Sequence, residues 1–341
     1  MEHGPVYKNP DSYCGPISML MRMPDDELLI IFREAKWRGT VTHADPTTRA
    51  SLLRSRDRGR SWFSHVSPDP AGGNGTSIAR LSDGTLLASA FHWLYETSGR
   101  PAPQGGREIV PPTVLTGVFV TRSLTEGYTW EPAAHVPEPD GSSNMSCAGA
   151  ILELPGGDLL LPLTARRAQM KNRDAVVMRS RDRGRSWGEP VCLTADADPE
   201  LLWSETRLVL CPSGRILAMH RSDKGNYFRN ISNDGGLTWS ATEDTGIWCG
   251  GSSPPDLLRL ADGRILLSRG HRRAPFGVRC NLSTDEGLTW GPDIILRDDA
   301  SDRDVGYPST IQFSDGALLT AYYWHGEDGI RHLQRTSWNL V

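Results

Sequence analysis

The stretch SRDRGRSW at Ser55–Trp62 occurs a second time, letter for letter, at Ser180–Trp187. Its relaxed form, Ser-x-Asp-x-Gly-x-Ser/Thr-Trp, also describes SNDGGLTW from Ser232 and STDEGLTW from Ser283. A fifth copy, SLTEGYTW from Ser123, has threonine where the others have aspartate. Asp, Gly and Ser/Thr suit a tight turn held by side-chain-to-backbone hydrogen bonds, and the tryptophan suits packing between sheets. We therefore predict that this box is a structural repeat and not a set of five ligand sites.

A second motif alternates with the box, in which two apolar runs flank a short polar or glycine turn. It occurs six times, as MRMPDDELLII, ARLSDGTLLAS, LELPGGDLLLP, LVLCPSGRILA, LRLADGRILLS and IQFSDGALLTA. An Asp-Gly turn between apolar runs is typical of a β-hairpin. The two motifs together define six units of roughly 50 residues, a period that is typical of propeller blades.

We predict an all-β fold in which residues 1–341 form one six-bladed β-propeller domain with four antiparallel strands per blade. The Asp-Gly turn joins strands A and B of each blade, and the box joins strands C and D. Only RTSW at Arg335–Trp338 remains of a sixth box, so the outer strand of blade 6 is expected within His3–Asn9, where it closes the ring. Both kinds of turn lie at one end of the blades, the bottom. The B–C loops and D–A connections lie at the other end, the top, where we expect the functional site.

The composition excludes several classes of function. Lys and Arg number 37 against 41 for Asp and Glu, which argues against a nucleic-acid partner. No apolar run approaches the ~20 residues of a membrane span. The start, MEHGPVYKNP, lacks a signal-peptide pattern, so we expect a cytoplasmic protein. The six cysteines form no Cys-x-x-Cys pair, and we expect neither a metal nor an organic cofactor. The oligomeric state stays open.

The predicted top segments are rich in aromatic and ionisable side chains, as a sugar-binding site requires. Trp37, Trp93 and Trp324 are candidates for stacking on sugar rings, with packing between blades as the alternative for each. His43 and His92 are further candidates for substrate contacts, and their spacing does not indicate a metal site. We therefore expect a carbohydrate partner.

The boxes resemble the Asp boxes of the sialidase (neuraminidase) superfamily, and six turns with five boxes resemble its six-bladed propeller. The resemblance covers nearly the whole chain and implies the fold, but the superfamily also contains other glycosidases, lyases and binding proteins. In bacterial sialidases a glutamate begins strand A of blade 4 and an arginine ends strand B. The stretch SETRLVLCPSGRILAMHR matches these positions with Glu205 and Arg221. A tyrosine begins strand A of blade 6, matched by Tyr307 in DVGYPSTIQF.

Two further matches and one departure follow from the same resemblance. The acid in the B–C loop of blade 1 is best matched by Asp45 in THADPTTR, with a loop turn as the alternative. The blade 5 arginine that binds the substrate carboxylate is matched by Arg272 or Arg273 in RGHRRAPFG. Strand A of blade 1 begins with Arg-Ile-Pro in bacterial sialidases, whereas this chain has SYCGPISMLMRMP and leaves Arg33 or Arg38 to supply that cation. The departure argues for a substrate with different demands.

These residue types suit an acidic sugar. A carboxylate on the anomeric carbon repels a carboxylate nucleophile, whereas a phenol stays neutral until a base takes its proton. We expect an exo-acting glycoside hydrolase that releases a terminal acidic sugar, sialic-acid-like or uronic. Tyr307 is the expected nucleophile, Glu205 its base and Asp45 the acid/base. Two alternatives stay open, namely a lyase that uses tyrosine and histidine on a uronic acid, and a non-catalytic carbohydrate-binding propeller.

Overall fold

The computed structural model describes residues 1–39, 45–69, 73–95, 113–139, 141–147, 149–166 and 172–340. Every regular element in these ranges is a β-strand, and the strands form six antiparallel sheets. No helix in the described part of the chain is long and apolar enough to cross a membrane. The prediction of an all-β, six-bladed propeller with four antiparallel strands per blade is therefore confirmed.

The strands follow the predicted order A, B, C, D in each blade, after an initial strand β1 (Glu2–Tyr7). Blade 1 contains β2 (Ser12–Arg22), β3 (Leu28–Lys36), β4 (Arg49–Ser55) and β5 (Phe63–Asp69). Blade 2 contains β6 (Asn74–Arg80), β7 (Leu86–Tyr95), β8 (Thr113–Ser123) and β9 (Ala134–Val136). Blade 3 has strand A in two pieces, β10 (Ser143–Cys147) and β11 (Leu152–Glu153), followed by β12 (Leu159–Arg166), β13 (Asp174–Ser180) and β14 (Gly188–Cys192).

The second half of the ring repeats the pattern more regularly. Blade 4 contains β15 (Trp203–Leu210), β16 (Ile216–Ser222), β17 (Asn226–Ser232) and β18 (Glu243–Trp248). Blade 5 contains β19 (Asp256–Arg259), β20 (Ile265–His271), β21 (Gly277–Ser283) and β22 (Ile294–Arg297). Blade 6 contains β23 (Gly306–Gln312), β24 (Leu318–His325) and β25 (Arg331–Trp338). Its fourth strand is β1, which pairs antiparallel with β25 and so closes the ring from the N-terminus as predicted.

The hydrophobic core lies between the blades. The described residues form six clusters of buried apolar side chains, and each cluster joins two neighbouring blades of the ring. Between blades 6 and 1, for example, Leu319 and Tyr323 pack with Ile30 and Phe32. Burial of these apolar faces stabilises the ring by roughly 25 cal/mol per Å² of apolar surface removed from water.

The box is a turn held by its aspartate. In blade 1, Asp57 Oδ1 accepts hydrogen bonds from the Ser61 backbone N–H and the Ser55 hydroxyl, both at 2.8 Å. Its Oδ2 accepts from the Ser61 hydroxyl at 2.5 Å. Trp62 donates its indole N–H to the Gly59 carbonyl and packs against the core between blades 6 and 1. These contacts confirm the structural role predicted for the repeat.

The arginines of SRDRGRSW link neighbouring blades at the bottom. Arg58 binds Asp315, in the A–B turn of blade 6, through two contacts of 2.8 Å. Arg183 makes the equivalent ion pair with Asp83, in the A–B turn of blade 2, at 2.5 Å. Both kinds of turn therefore share one end of the propeller, and the other end is free to form a site.

Candidate functional site

A cavity of about 610 Å³ lies at the top of the propeller, where residues from all six blades converge. The described residues that line it are Arg33, Asn74, Gly75, Phe91, Trp93, Leu115, Asn144, Ser146, Cys147, Thr164, Arg166, Asn172, Arg173, Leu202, Ser204, Glu205, Arg221, Arg272, Asp304, Tyr307, Tyr323 and Arg331. A second cavity, of about 670 Å³, lies toward the bottom of the central strands and contains none of the predicted site residues. We therefore place the candidate site in the top cavity.

A bulge in strand A points one residue of several blades into this cavity. Gly75, Glu205 and Tyr307 each lie five residues before the end of strand A, where the pairing register with strand B shifts. Glu205 and Tyr307 have left-handed backbones, with φ of +51° and +49°. A left-handed non-glycine residue costs about 1–3 kcal/mol, and such strain tends to occur at functional sites. In blade 2 the position is glycine, because a Cβ there would lie 1.9 Å from the Cys147 carbonyl oxygen.

Tyr307, Glu205 and Arg221 form a hydrogen-bonded group in the cavity. The Tyr307 hydroxyl donates to Glu205 Oε1 at 2.5 Å. Arg221 Nη1 donates to the Tyr307 oxygen at 3.2 Å and forms an ion pair with Glu205 Oε2. Burial and the Glu205 carboxylate raise the pKa of Tyr307 far above its ordinary value, against the opposing effect of Arg221 and Arg272. The phenol is thus neutral, with a base placed to take its proton and a cation placed to stabilise the phenolate.

A second tyrosine–carboxylate pair lies beside the first. Tyr323 donates to Asp304 Oδ1 at 2.7 Å, and Arg331 donates to the same oxygen at 2.9 Å. Arg272 Nη2 donates to the Tyr323 oxygen at 2.6 Å. The same guanidinium is held in place by hydrogen bonds to the backbone carbonyls of Val305 and Ser252. The ring centroids of Tyr323 and Tyr307 are 5.7 Å apart. Burial would raise the pKa of Asp304, but Arg331 and Tyr323 outweigh it and lower this pKa, so the carboxylate is ionised.

Arg33 reaches the cavity from strand B of blade 1, and its path depends on Gly15. A Cβ on Gly15 would lie 2.4 Å from the Arg33 Cβ and 2.7 Å from its Cγ and Cδ. The buried guanidinium donates to the Tyr13 hydroxyl at 2.9 Å and to Thr48 at 3.2 Å. Of the two arginines considered for the missing blade 1 cation, Arg33 lines the cavity and Arg38 does not.

Asp45 lies outside the lining of the top cavity. Arg38 Nε binds Asp45 Oδ2 at 2.6 Å, and the Thr47 backbone N–H and hydroxyl bind Oδ1 at 2.9 and 2.7 Å. Burial would raise the pKa of Asp45, but these hydrogen bonds outweigh it and lower the pKa. Asp45 is therefore an ionised carboxylate in this conformation. His43, two residues earlier, lies outside the described residues.

The pleat of strand B separates the aromatic candidates. Trp93 lines the cavity together with Phe91, and their ring centroids are 6.2 Å apart. His92, between them in sequence, points away and pairs with Asp69. Trp324 follows Tyr323 and also points away, into the core between blades 5 and 6, with Arg297 stacked 3.9 Å from its ring centroid. Successive side chains of a strand alternate between its two faces, which explains the division.

Two more candidates lie at the rim rather than in the lining. Trp37 is half-buried and packs edge-on against Tyr13, with ring centroids 6.2 Å apart. Arg273 is exposed and stacks 4.3 Å from the ring centroid of Trp248, while its neighbour Arg272 enters the cavity. Of the two arginines matched in blade 5, Arg272 is thus the one that reaches Tyr307.

Sequence reasoning missed several lining residues that the internal repeat encodes. The sixth residue of strand B faces the cavity in five of the six blades, as Arg33, Phe91, Thr164, Arg221 and Tyr323. Superposing the six strand B sequences on their first apolar residue would have identified Phe91, Thr164 and Tyr323. Asp304, Arg173 and Arg331 lie outside strands A and B, and that superposition does not reach them.

The cavity is strongly cationic. Its described lining contains six arginines and two carboxylates, an excess of four positive charges in a chain whose net charge is −4. Within the described ranges, no group of three or more His, Cys, Asp and Glu side chains could hold a metal ion. The arrangement suits an anionic ligand, bound by guanidinium groups next to a phenol–carboxylate pair.

Comparison with known proteins gives a family and a fold. A model of the BNR repeat-like domain matches residues 113–320. No curated protein matches the sequence. The structure is similar to that of a protein of unknown function from Dyadobacter fermentans, with a TM-score of 0.87 and 24% identity over 100% of this chain and 98% of that chain.

Two similar structures belong to enzymes. The intramolecular trans-sialidase from Ruminococcus gnavus has a TM-score of 0.72 at 14% identity, over 98% of this chain and 97% of that chain. The α-L-arabinanase from Penicillium chrysogenum has a TM-score of 0.70 at 14% identity, over 98% of both chains. At these identities the likeness shows the fold alone. The resemblance indicated by the boxes is thus confirmed for the repeat and the propeller, a fold that glycosidases use.

Proposed function

The chain belongs to the BNR repeat-like domain family, and on this premise we propose that it is an exo-acting glycoside hydrolase that releases a terminal acidic sugar. The observation that carries the proposal is the 2.5 Å hydrogen bond from Tyr307 to Glu205, next to Arg221 in a cationic cavity. The similar folds of a trans-sialidase and an arabinanase are consistent with a carbohydrate substrate.

Tyr307 acts as the nucleophile in this proposal, and Glu205 as its base. As the bond from the Tyr307 oxygen to the anomeric carbon forms, the bond to the leaving-group oxygen breaks and the phenolic proton moves to Glu205. Arg221, 3.2 Å from the phenol oxygen, stabilises the negative charge on that oxygen. Water then displaces the Tyr307 oxygen, and Glu205 returns the proton to it. Two inversions at the anomeric carbon give net retention.

The leaving-group oxygen needs a proton, and Asp45 is the proposed source. Because Arg38 holds Asp45 as a carboxylate, Asp45 must release Arg38 and bind a proton before it can donate. After donation it accepts the proton of the water that attacks the intermediate. The acid role requires the pKa of this carboxyl group to rise, and exclusion of water by a bound sugar would have that effect.

In this proposal the substrate carboxylate binds between Arg221 and Arg272. Arg272 is the cation nearest to the Tyr307 ring from blade 5, 5.7 Å from its centroid, and Arg221 approaches from blade 4. A guanidinium binds a carboxylate through two parallel hydrogen bonds, which gives orientation as well as affinity. Trp93 lines the cavity from blade 2 and is the aromatic side chain proposed to contact the sugar ring. A sialic-acid-like or a uronic sugar fits this set of contacts.

The lyase alternative has less support. It requires a histidine next to the tyrosine, and none of the described residues that line the cavity is a histidine. The two hypotheses also differ in product, because a lyase leaves an unsaturated sugar that absorbs in the ultraviolet, whereas a hydrolase gives a saturated one. A binding protein would give neither product.

The test is release of a fluorescent aglycone from a panel of methylumbelliferyl glycosides carrying sialic, glucuronic or galacturonic acid, with the neutral glucoside and galactoside for comparison. We expect release from at least one acidic glycoside and not from the neutral ones. Tyr307→Phe should abolish the release while the thermal unfolding midpoint stays within a few degrees of the wild type. Tyr128→Phe removes the same atom from an exposed residue at the bottom and should leave the rate unchanged.

A covalent trap makes the assignment direct. A fluorinated analogue of the accepted sugar slows breakdown of the glycosyl-enzyme, so mass spectrometry of peptides should find the sugar on Tyr307. Labelling of another residue, or full activity of Tyr307→Phe, would refute the proposed nucleophile.

A further inference from the structure

Two arginines of blade 3, Arg166 and Arg173, line the cavity and have no part in the proposed chemistry. Arg166 ends strand B, and Arg173 precedes strand C. Arg166 contacts the Ser143 hydroxyl at 3.3 Å, and Arg173 contacts the Ser146 hydroxyl at 3.4 Å. These bonds are long and their acceptors are neutral hydroxyls, so they bring no negative charge to either arginine.

Neither arginine has a carboxylate within ion-pair distance among the residues that the structure describes. The two acidic residues of the lining are already paired, Glu205 with Arg221 and Asp304 with Arg331. Burial lowers the pKa of Arg173, opposed by the more distant Glu205. Arg173 is partly buried, whereas Arg166 is exposed. A partly buried cation without a counter-ion carries a desolvation cost, which a bound oxyanion would offset.

The neighbouring residues add neutral groups that suit an oxyanion. Asn144 lies at a register shift in strand A of blade 3, with a left-handed φ of +54°, and lines the cavity. Asn172 and Ser146 complete the wall. Amides and hydroxyls can donate to an oxyanion without adding charge.

This wall faces the reacting tyrosine from the other side of the ring, with Arg173 close enough to Glu205 for their charges to interact. In a six-bladed ring, blade 3 is opposite blade 6, which carries Tyr307. A terminal sugar whose anomeric carbon lies at Tyr307 and whose carboxylate lies at Arg221 and Arg272 therefore leaves blade 3 to a different part of the substrate. The next sugar unit of the chain is the part that extends from the reacting bond.

We propose that Arg166 and Arg173 form a second anion-binding subsite, which binds a carboxylate or sulfate on the unit next to the terminal sugar. The inference rests on the proposed function and narrows its substrate to an acidic oligosaccharide with anionic groups on at least two units. It also accounts for the excess of four positive charges, which is more than a single carboxylate needs.

Selenate, which has the shape and charge of sulfate, tests the subsite without any turnover. Wild-type crystals soaked in selenate should show one anomalous selenium peak between Arg166 and Arg173 and another at Arg221 and Arg272. The double variant R166Q/R173Q should lose the first peak and keep the second. Arg60→Gln removes the same charge from an exposed residue at the bottom and should keep both.

The outcomes separate this inference from the proposed function. If the anomalous map shows no selenium peak between Arg166 and Arg173, the proposed subsite is wrong, whether or not a peak is present at Arg221. Selenium at Arg166 and Arg173 alone supports the subsite and counts against the proposed carboxylate contacts of Arg221 and Arg272.

Calorimetry then identifies the oxyanion. Galacturonate, digalacturonate and a sulfated uronic-acid disaccharide carry one carboxylate, two carboxylates, and a carboxylate with a sulfate. We expect one of the two disaccharides to bind at least about tenfold more tightly than galacturonate, and R166Q/R173Q to lose that gain, since the second anionic group would lose its charged hydrogen bonds. A gain that persists in the double variant would overturn the inference.

Discussion

The hydroxyl of Tyr307 donates a 2.5 Å hydrogen bond to Glu205 Oε1, although 102 positions separate the two residues in the chain. Each of them lies on a bulge in strand A of its own blade, and each has a left-handed backbone. The same bulge, repeated in strand A of different blades, therefore brings a carboxylate and a phenol together in the top cavity. Arg221 forms an ion pair with Glu205 and donates a hydrogen bond to the Tyr307 oxygen, so its positive charge balances the negative charge of the carboxylate.

Glu205→Gln should lower kcat roughly 10²–10⁴-fold, the usual effect of removing a general base. The amide can still accept the Tyr307 hydrogen bond, but it cannot take the proton, so the protein should fold and bind substrate with little change in KM. Steady-state kinetics on the accepted glycoside measure both constants. Glu327→Gln, a matched change at an exposed residue, should be neutral. An unchanged kcat in Glu205→Gln would rule out the base role.

The fold could be predicted because the boxes carry their own geometry. Asp57 and Trp62 fix the turn between strands C and D and its packing. Each copy of the box therefore marks one blade in the sequence and shows where its strands C and D lie. These positions in turn placed Glu205, Arg221 and Tyr307 at one end of the ring. The ring closure followed from a missing strand in blade 6, which only the N-terminus could supply.

The side-chain detail of the site could not be predicted to the same depth. Both Trp93 and Trp324 lie at the top end of strand B, yet only Trp93 lines the cavity, because the pleat gives that face to Tyr323 in blade 6. Asp45 pairs with Arg38 in the connection between strands B and C of blade 1. The sequence of this connection has no repeating pattern from which the pairing could be predicted. Tyr323 lies in a strand, whereas its partner Asp304 lies in the connection between blades 5 and 6. The conformation of that connection could not be predicted from the sequence.

Gly15→Ala should lower stability by about 1–3 kcal/mol, the usual cost of overpacking, because its Cβ would lie 2.4 Å from that of Arg33. The displaced Arg33 would leave the cavity wall, so KM for an acidic substrate should rise as well. Urea unfolding and kinetics measure the two effects.

A double-mutant cycle separates the clash from any strain in the backbone at Gly15. In the Arg33→Gly background the Cβ, Cγ and Cδ contacts are all gone, so adding Gly15→Ala should cost clearly less stability than it does in the wild type. Equal costs in the two backgrounds would show that Gly15 does not make room for Arg33.

Asp182→Ala should destabilise the propeller by about 1–3 kcal/mol without changing kcat or KM. Asp182 accepts from the Ser180 hydroxyl and from the backbone N–H groups of Arg185 and Ser186, all within 3.0 Å, and this box lies at the bottom of blade 3. Asp182→Asn keeps one acceptor oxygen and should cost less. Thermal unfolding and the glycoside assay, run on the same preparations, test the separation of structure from function. A loss of activity with full stability would place function in the repeat.

His220→Gln should flatten the dependence of stability on pH between about 4 and 6.5. His220 is fully buried, with Nε2 bonded to Asn230 Oδ1 at 2.7 Å and Nδ1 to the Thr206 hydroxyl at 2.9 Å. Burial lowers the pKa of His220 to about 4, so the native ring stays neutral while the unfolded chain binds a proton below its ordinary pKa of about 6.5. Stability is therefore fully present above pH 6.5 and is lost as the pH falls toward 4, by up to about 1.4 kcal/mol per pH unit. Urea unfolding of wild type and variant across this range measures the difference in slope, and parallel curves would show that His220 does not control it.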